Sequence, residues 1–205
     1  MNTKPESEGQ DVAWVTIETP FDGGHLKDFL GDIERLYRIN SLTEFEEWRN
    51  NGNGKYLFRA KNLSNGKNVE TGLDVAVSES GVNVSYSSGL KTATRFRIEP
   101  NADGLASLVI TDDYGGTPAE VRKSRIDEVD KSLEQWGRDI HRYLHQWKRW
   151  SWLPGWRWYM RRVWQPMKPS ARRISFMIIM ITLAELVMFL FVFLIFWLEL
   201  DKFMD

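Results

Sequence analysis

Between Ile174 and Leu198 the chain carries 25 consecutive residues, ISFMIIMITLAELVMFLFVFLIFWL, with one ionisable member, Glu185. At ~1.5 Å per helical residue they reach ~37 Å, enough for a hydrocarbon core of ~30 Å with some tilt. A buried core helix needs no such length, so a membrane span is expected. The 17 Ile, Leu, Val and Phe residues of the segment supply roughly 5 to 10 kcal/mol of insertion free energy, against roughly 2.5 to 3.5 kcal/mol for a central acid. Glu185 therefore does not prevent insertion. It is either an intramembrane contact to a partner helix or a proton or quinone pathway, or a protonated carboxyl bonded to its own backbone or Thr182.

The flanks orient the span. Residues 147–173 hold eight Lys and Arg and no acid, whereas beyond the span Lys202 stands among Glu199, Asp201 and Asp205. The basic flank is the cytoplasmic one. The chain opens MNTKPESEGQ, without the apolar region of a secretory signal. The expectation is a single-pass, tail-anchored membrane protein with its N-terminal domain in the cytoplasm. A cysteine count of zero agrees with a reducing compartment.

Six of the ten tryptophans lie in the 18 residues before Gln165, interleaved with arginine. Indoles with an apolar body and one N–H donor, beside cations, are what a headgroup layer selects. Trp150, Trp152, Trp156 and Trp158, with Arg161, Arg162 and Trp164, are therefore expected at the membrane interface, in contact with membrane lipids. Pro154-Gly155 interrupts this collar, and Pro166 and Pro169 separate it from the span. Nucleic acid is excluded as a partner. Residues 1–146 hold 18 Lys and Arg against 24 Asp and Glu, and such a body repels a polyanion.

Ahead of the collar, the residues form one domain by length, after a polar and disordered stretch 1–10. DVAWVTIET (11–19) alternates as a strand, and GGHLKDFLGDIERLYRIN gives two short helices broken at Gly31. Six strands follow, at 43–49, 55–62, 69–79, 82–88, 91–99 and 105–114, joined by turn residues such as Asn51-Gly52-Asn53-Gly54 and Ser80-Gly81. A long helix from about Pro118 to Trp147 closes the domain. Its apolar stripe, Val129, Leu133, Trp136, Ile140, Leu144 and Trp147, must lie on the concave side of the sheet.

This order, with the opening VTIETPFDGGHLKDFL and with LYRIN (36–40) leading into the second strand, resembles the START-like (SRPBCC) superfamily, which includes polyketide cyclase/dehydrase-like and coenzyme Q-binding relatives. The resemblance covers residues 11–147. It implies an α+β helix-grip fold, a seven-stranded antiparallel sheet around a long C-terminal helix, with an apolar ligand held between sheet and helix. An interfacial segment at 148–173, the span at 174–198 and a short acidic tail at 199–205 complete the expected organisation. The pocket is expected to be lined by Tyr56, Phe58, Phe96 and Ile98 from the strands and by Leu133, Trp136 and Ile140 from the helix.

Catalytic signals are few. His141 and His145 are four apart on the long helix, but HRYLH lacks the internal Glu of zinc hydrolases and no third ligand is evident, so no metal is expected. Asp112-Asp113-Tyr114 reads as a carboxylate and donor at a pocket mouth, or as turn chemistry before Gly115-Gly116. Arg59, Arg95 and Arg97 either meet a ligand head or pair with Glu44, Glu46 and Glu47. No catalytic residue and no cofactor is assigned, and an enzyme is the weaker expectation. The leading function is binding of a hydrophobic small molecule, lipid or quinone, at the cytoplasmic membrane face. The alternative is an accessory subunit or assembly factor docked on an integral membrane protein or complex through the span. A cyclase- or dehydratase-like enzyme comes third.

Overall fold

The computed structural model describes residues 12–116, 118, 120 and 126–204, and their side chains except at 126–131 and 200–204. They form two compact units, residues 1–166 and 167–205. The first stretch, 1–10, lies outside the described residues.

In the first unit, strand β1 (Val12–Glu18) is followed by helices α1 (Gly23–Leu30) and α2 (Ile33–Arg38). Asp22 and Asp32 cap them by accepting from the backbone N–H of His25 and Arg35, which satisfies donors that a helix start leaves orphaned. Gly31 separates the two as expected. Then come β2 (Thr43–Gly52), β3 (Lys55–Asn62), β4 (Asn68–Val77), β5 (Gly81–Tyr86), β6 (Ala93–Pro100) and β7 (Ala106–Asp113). All seven strands pair antiparallel in the order β1-β7-β6-β5-β4-β3-β2. Gly81, between β4 and β5, is required where it stands. Its φ is +155° and an added Cβ would come within 1.8 Å of the Phe96 carbonyl oxygen.

Helix α3 (Ile126–Trp150) crosses the sheet. Leu133, Trp136, Ile140 and Leu144 of the expected stripe are buried, joined by Tyr143, and Trp147 is half-buried. Val129 lies outside the described side chains. Gly137 lets α3 sit close to β1, with Val15 methyls 3.2 Å from where a Cβ would be. The LYRIN stretch is tied to α3. Trp136 Nε1 donates to the Leu36 carbonyl at 3.1 Å, and Asp139 accepts from Ser41 N at 2.8 Å and from Gln135 Nε2 at 3.0 Å.

The first unit does not stop at Trp147. After the turn at Pro154-Gly155, helix α4 (Trp156–Tyr159) and a π-helical turn (Met160–Trp164) fold with the domain. Met160 is buried, and Trp156, Tyr159 and Trp164 pack on the core. Apolar side chains spaced along 156–164 find an open aromatic surface at Tyr143, whose ring lies 5.5 Å from that of Trp164. The second unit is helix α5 (Pro169–Met204), in which every side chain from Phe176 to Glu199 is exposed. It is long and apolar enough to cross a membrane.

Candidate binding cavity and its polar end

A cavity of about 310 Å³ opens between the β2-β3-β4 side of the sheet, the end of α2 and the start of the described part of α3. That is the lower end of the size range of small-molecule pockets. Phe45, Phe58, Ala60, Val69, Leu90 and Trp136 supply apolar wall. The wall is built by ring packing: Phe58 stacks on Trp48 at 5.7 Å and meets Phe45 edge-on at 5.3 Å, while Trp136 lies 5.2 Å from Tyr37 and 5.5 Å from Phe96. Offset and edge-on pairs of this kind are each worth about 0.5 to 1.5 kcal/mol beyond burial. Asn65, Lys67 and Asn68, with Ser88, line the same cavity where its residues reach solvent.

One end is polar and connected. Asp112 is fully buried, and its carboxylate accepts from Thr94 Oγ1 at 2.5 Å, from Tyr114 OH at 3.3 Å and from the ammonium of Lys91. Thr94 in turn meets Tyr86 OH at 2.9 Å, and Tyr86 meets Tyr37 OH at 2.6 Å. Lys91 Nζ also stands 5.6 Å over the Trp136 ring, a favourable placement for a cation. Tyr37, Tyr86, Lys91 and Tyr114 all line the cavity. Burial raises the Tyr37 phenol well above the usual range and Tyr86 above it too, and each is pushed further by the Asp112 charge. For Lys91, burial acts downward most strongly of any single cause, but the adjoining Asp112 carboxylate and Tyr86 together outweigh it, so the net shift is upward. These shifts favour the neutral form of both phenols and the charged form of Lys91.

Of the seven residues expected to line the pocket, Phe58 and Trp136 do so. Phe96, Leu133 and Ile140 are buried in the closed core, and Tyr56 and Ile98 pack partly buried against it. Of the polar end, Asp112 and Tyr114 belong to the stretch read as a carboxylate and donor at a pocket mouth, whereas Tyr37, Tyr86, Lys91 and Thr94 were not anticipated. Strand alternation carried a signal for Asp112. Leu108, Ile110 and Asp112 share one face of β7, so a carboxylate follows two core residues inward. Asp113 points the other way and accepts from Gly115 N at 2.9 Å, the turn role. Arg59 pairs with Glu46 and Glu47, Arg95 with Asp113 and Arg97 with Glu99, so all three have intrasheet partners away from the cavity.

The collar residues divide. Trp152 and Trp158 are 72% and 64% exposed, Trp150 is exposed, Arg161 and Arg162 are exposed, and Trp156 and Trp164 are half-buried. His141 and His145 have ring centroids 4.3 Å apart, and His141 Nδ1 lies 3.0 Å from the Glu18 carbonyl oxygen. Burial, with His141 and Lys148 nearby, lowers the His145 pKa. Among the described residues no three His, Cys, Asp or Glu side chains gather as metal ligands. Glu185 is exposed on α5.

No protein-family model matches the sequence, and no curated protein matches it. Solved structures do. A START superfamily protein from Mycobacterium smegmatis superposes with a TM-score of 0.51 at 15% identity, over 66% of this chain and 98% of that one. The di-domain ARO/CYC StfQ of the steffimycin biosynthetic pathway is a looser match, TM-score 0.47 and 10% identity, over 67% of this chain and 51% of that one. At these identities the likeness is one of architecture, and the first structure carries it: seven antiparallel strands with a long C-terminal helix across them, the α+β helix-grip fold of the START superfamily.

Proposed function

We propose that this protein is a membrane-anchored START-like module that binds a hydrophobic molecule, a lipid or a quinone, at the cytoplasmic face of a membrane. The observation that carries the reading is the 310 Å³ cavity with an aromatic wall and one buried, fully connected polar end. Apolar wall contributes about 0.8 kcal/mol per ligand CH₂ withdrawn from water. The polar end fixes orientation, because a carbonyl or hydroxyl arriving there meets the Lys91 ammonium and the Tyr86 phenol. The size favours a single ring or a single chain, with any longer tail leaving through the mouth. Helix α5 supports anchoring by its length and unbroken apolar exposure, and the basic flank supports a cytoplasmic domain. Tethering lets such a pocket take up a poorly soluble molecule without a journey through bulk water.

Equilibrium dialysis of the detergent-solubilised full chain against a short-tailed benzoquinone and a single-chain fatty alcohol tests this. One equivalent of at least one of them is expected on the native protein. Val69→Trp, which fills the cavity from a partly exposed strand position, is expected to weaken uptake at least about tenfold, ~1.4 kcal/mol. Equal uptake by both proteins would remove the cavity from the account.

Exposed Glu185, amid apolar side chains, favours a second role. The span docks on a membrane complex through that carboxyl, making the chain an accessory subunit. Exchanging the span for poly-Leu separates the two, since binding then survives while co-purifying partners are lost.

A further inference from the structure

A second cavity, about 540 Å³, lies where residues 157–162 meet α1, Arg35 of α2 and the Leu144–Trp147 stretch of α3. It shares no lining residue with the first. Four guanidiniums line it, Arg35, Arg157, Arg161 and Arg162, against one carboxylate, Asp28. Among the described residues none of the four is in an ion pair.

Arg35 is the unusual member. It is 5% exposed, and its Nε has no hydrogen-bond partner among the described residues. Its guanidinium sits instead between aromatic faces, 4.8 Å from the Phe29 centroid, 5.2 Å from Tyr143 and 4.5 Å from Trp147. Such contacts offset only part of what it costs to remove a cation from water. Arg161 stands 5.8 Å from the same Trp147 ring. One indole thus carries two like charges with no paired carboxylate, an arrangement that an anion completes. Guanidinium forks match the oxygens of phosphate two at a time, and several of them around one site select a multiply charged oxyanion.

We infer that this cavity binds a phosphate group, as part of a lipid headgroup or free in solution. Arg35 is the buried anchor, Arg157, Arg161 and Arg162 close on the anion from the exposed side, and the exposed indole of Trp158 meets whatever apolar group the phosphate carries. The site is independent of the ligand in the first cavity.

The test is native mass spectrometry of the full chain in dodecyl maltoside, with dioleoyl phosphatidic acid, dioleoylglycerol or inorganic phosphate added. One phosphatidic acid per chain is expected to be retained, and dioleoylglycerol is not. Arg157→Gln, Arg161→Gln and Arg162→Gln together are expected to weaken retention at least about tenfold. Arg49→Gln, Arg59→Gln and Arg97→Gln, which remove the same charge from the sheet surface, are expected to leave it unchanged. Competition by inorganic phosphate identifies a free-phosphate site, and its failure to compete identifies a headgroup site. Equal retention of dioleoylglycerol, or equal loss in the two triple variants, would overturn the inference. Arg162→Gln alone, with about a threefold loss expected, keeps the test open should the triple variant misfold.

Discussion

Lys91→Met probes the polar end of the first cavity most sharply. In the native protein the fully buried Asp112 carboxylate has three donors, Lys91, Thr94 and Tyr114, and Lys91 is the only one that brings charge. Met preserves the apolar stem and the packing near Trp136, so what is lost is the counter-charge. Removing one partner of a buried pair costs about 3 to 5 kcal/mol, because the other is left as an uncompensated charge. The Lys91 side chain is 25% exposed, so some water reaches the site, which sets the expectation at the lower end, about 3 kcal/mol. Asp112→Asn should cost less, about 1 to 2 kcal/mol, since the amide oxygen still accepts from Thr94 and the lysine can turn to solvent. The pair combined should restore part of the loss, with a coupling energy on the order of 1 to 2 kcal/mol. Urea unfolding of all four proteins in mild detergent, followed by tryptophan fluorescence, supplies these numbers. A loss below about 1 kcal/mol for Lys91→Met would refute the reasoning, because it would mean that water neutralises Asp112 and that the polar end is wet.

Gly81→Ala is expected to cost more than about 3 kcal/mol, since its methyl would collide with the Phe96 carbonyl, whereas Gly66→Ala, at φ +71° with open space around it, should cost about 1 to 2 kcal/mol. The same unfolding series ranks them. Tyr37, Tyr86 and Lys91 all have pKa values raised in the folded state. The native protein therefore binds more protons than the unfolded chain above about pH 10, and stability present below that pH is lost as pH rises. Tyr37→Phe should flatten this alkaline limb, and an unchanged slope in urea titrations between pH 8 and pH 11 would contradict the assignment.

What was legible from sequence was whatever depends on local spacing. β3 runs over Lys55–Asn62 as its alternation and flanking turns require, and Leu133, Trp136, Ile140 and Leu144 are buried as the three-four stripe demands. Legibility ended where the site is assembled across elements. Tyr37, Tyr86, Lys91, Thr94 and Asp112 come from α2, β5, a loop, β6 and β7, and they meet only through the pairings of Thr94 with Asp112 and of Ser85 with Ala93. Lys91 read as a strand residue, but β6 begins at Ala93, which leaves the lysine free to turn inward. Phe96 and Ile140 illustrate the opposite error. Apolar periodicity finds the residues facing the core, and it does not distinguish those that fill it from those that line a gap. Arg35 was hidden for a related reason: a cation on a short helix reads as solvated, and its aromatic cage is drawn from α1 and α3.

The account turns on the first cavity holding a hydrophobic molecule. Native mass spectrometry of the full chain purified from membranes, with organic extraction of the same sample, tests that directly when Val69→Trp is run beside it. The account predicts a stoichiometric quinone or lipid on the native protein that is absent from the variant. A clean apo mass that persists after membrane lipids and quinones are added, or the same quinone or phosphate-free lipid on both proteins, would contradict it.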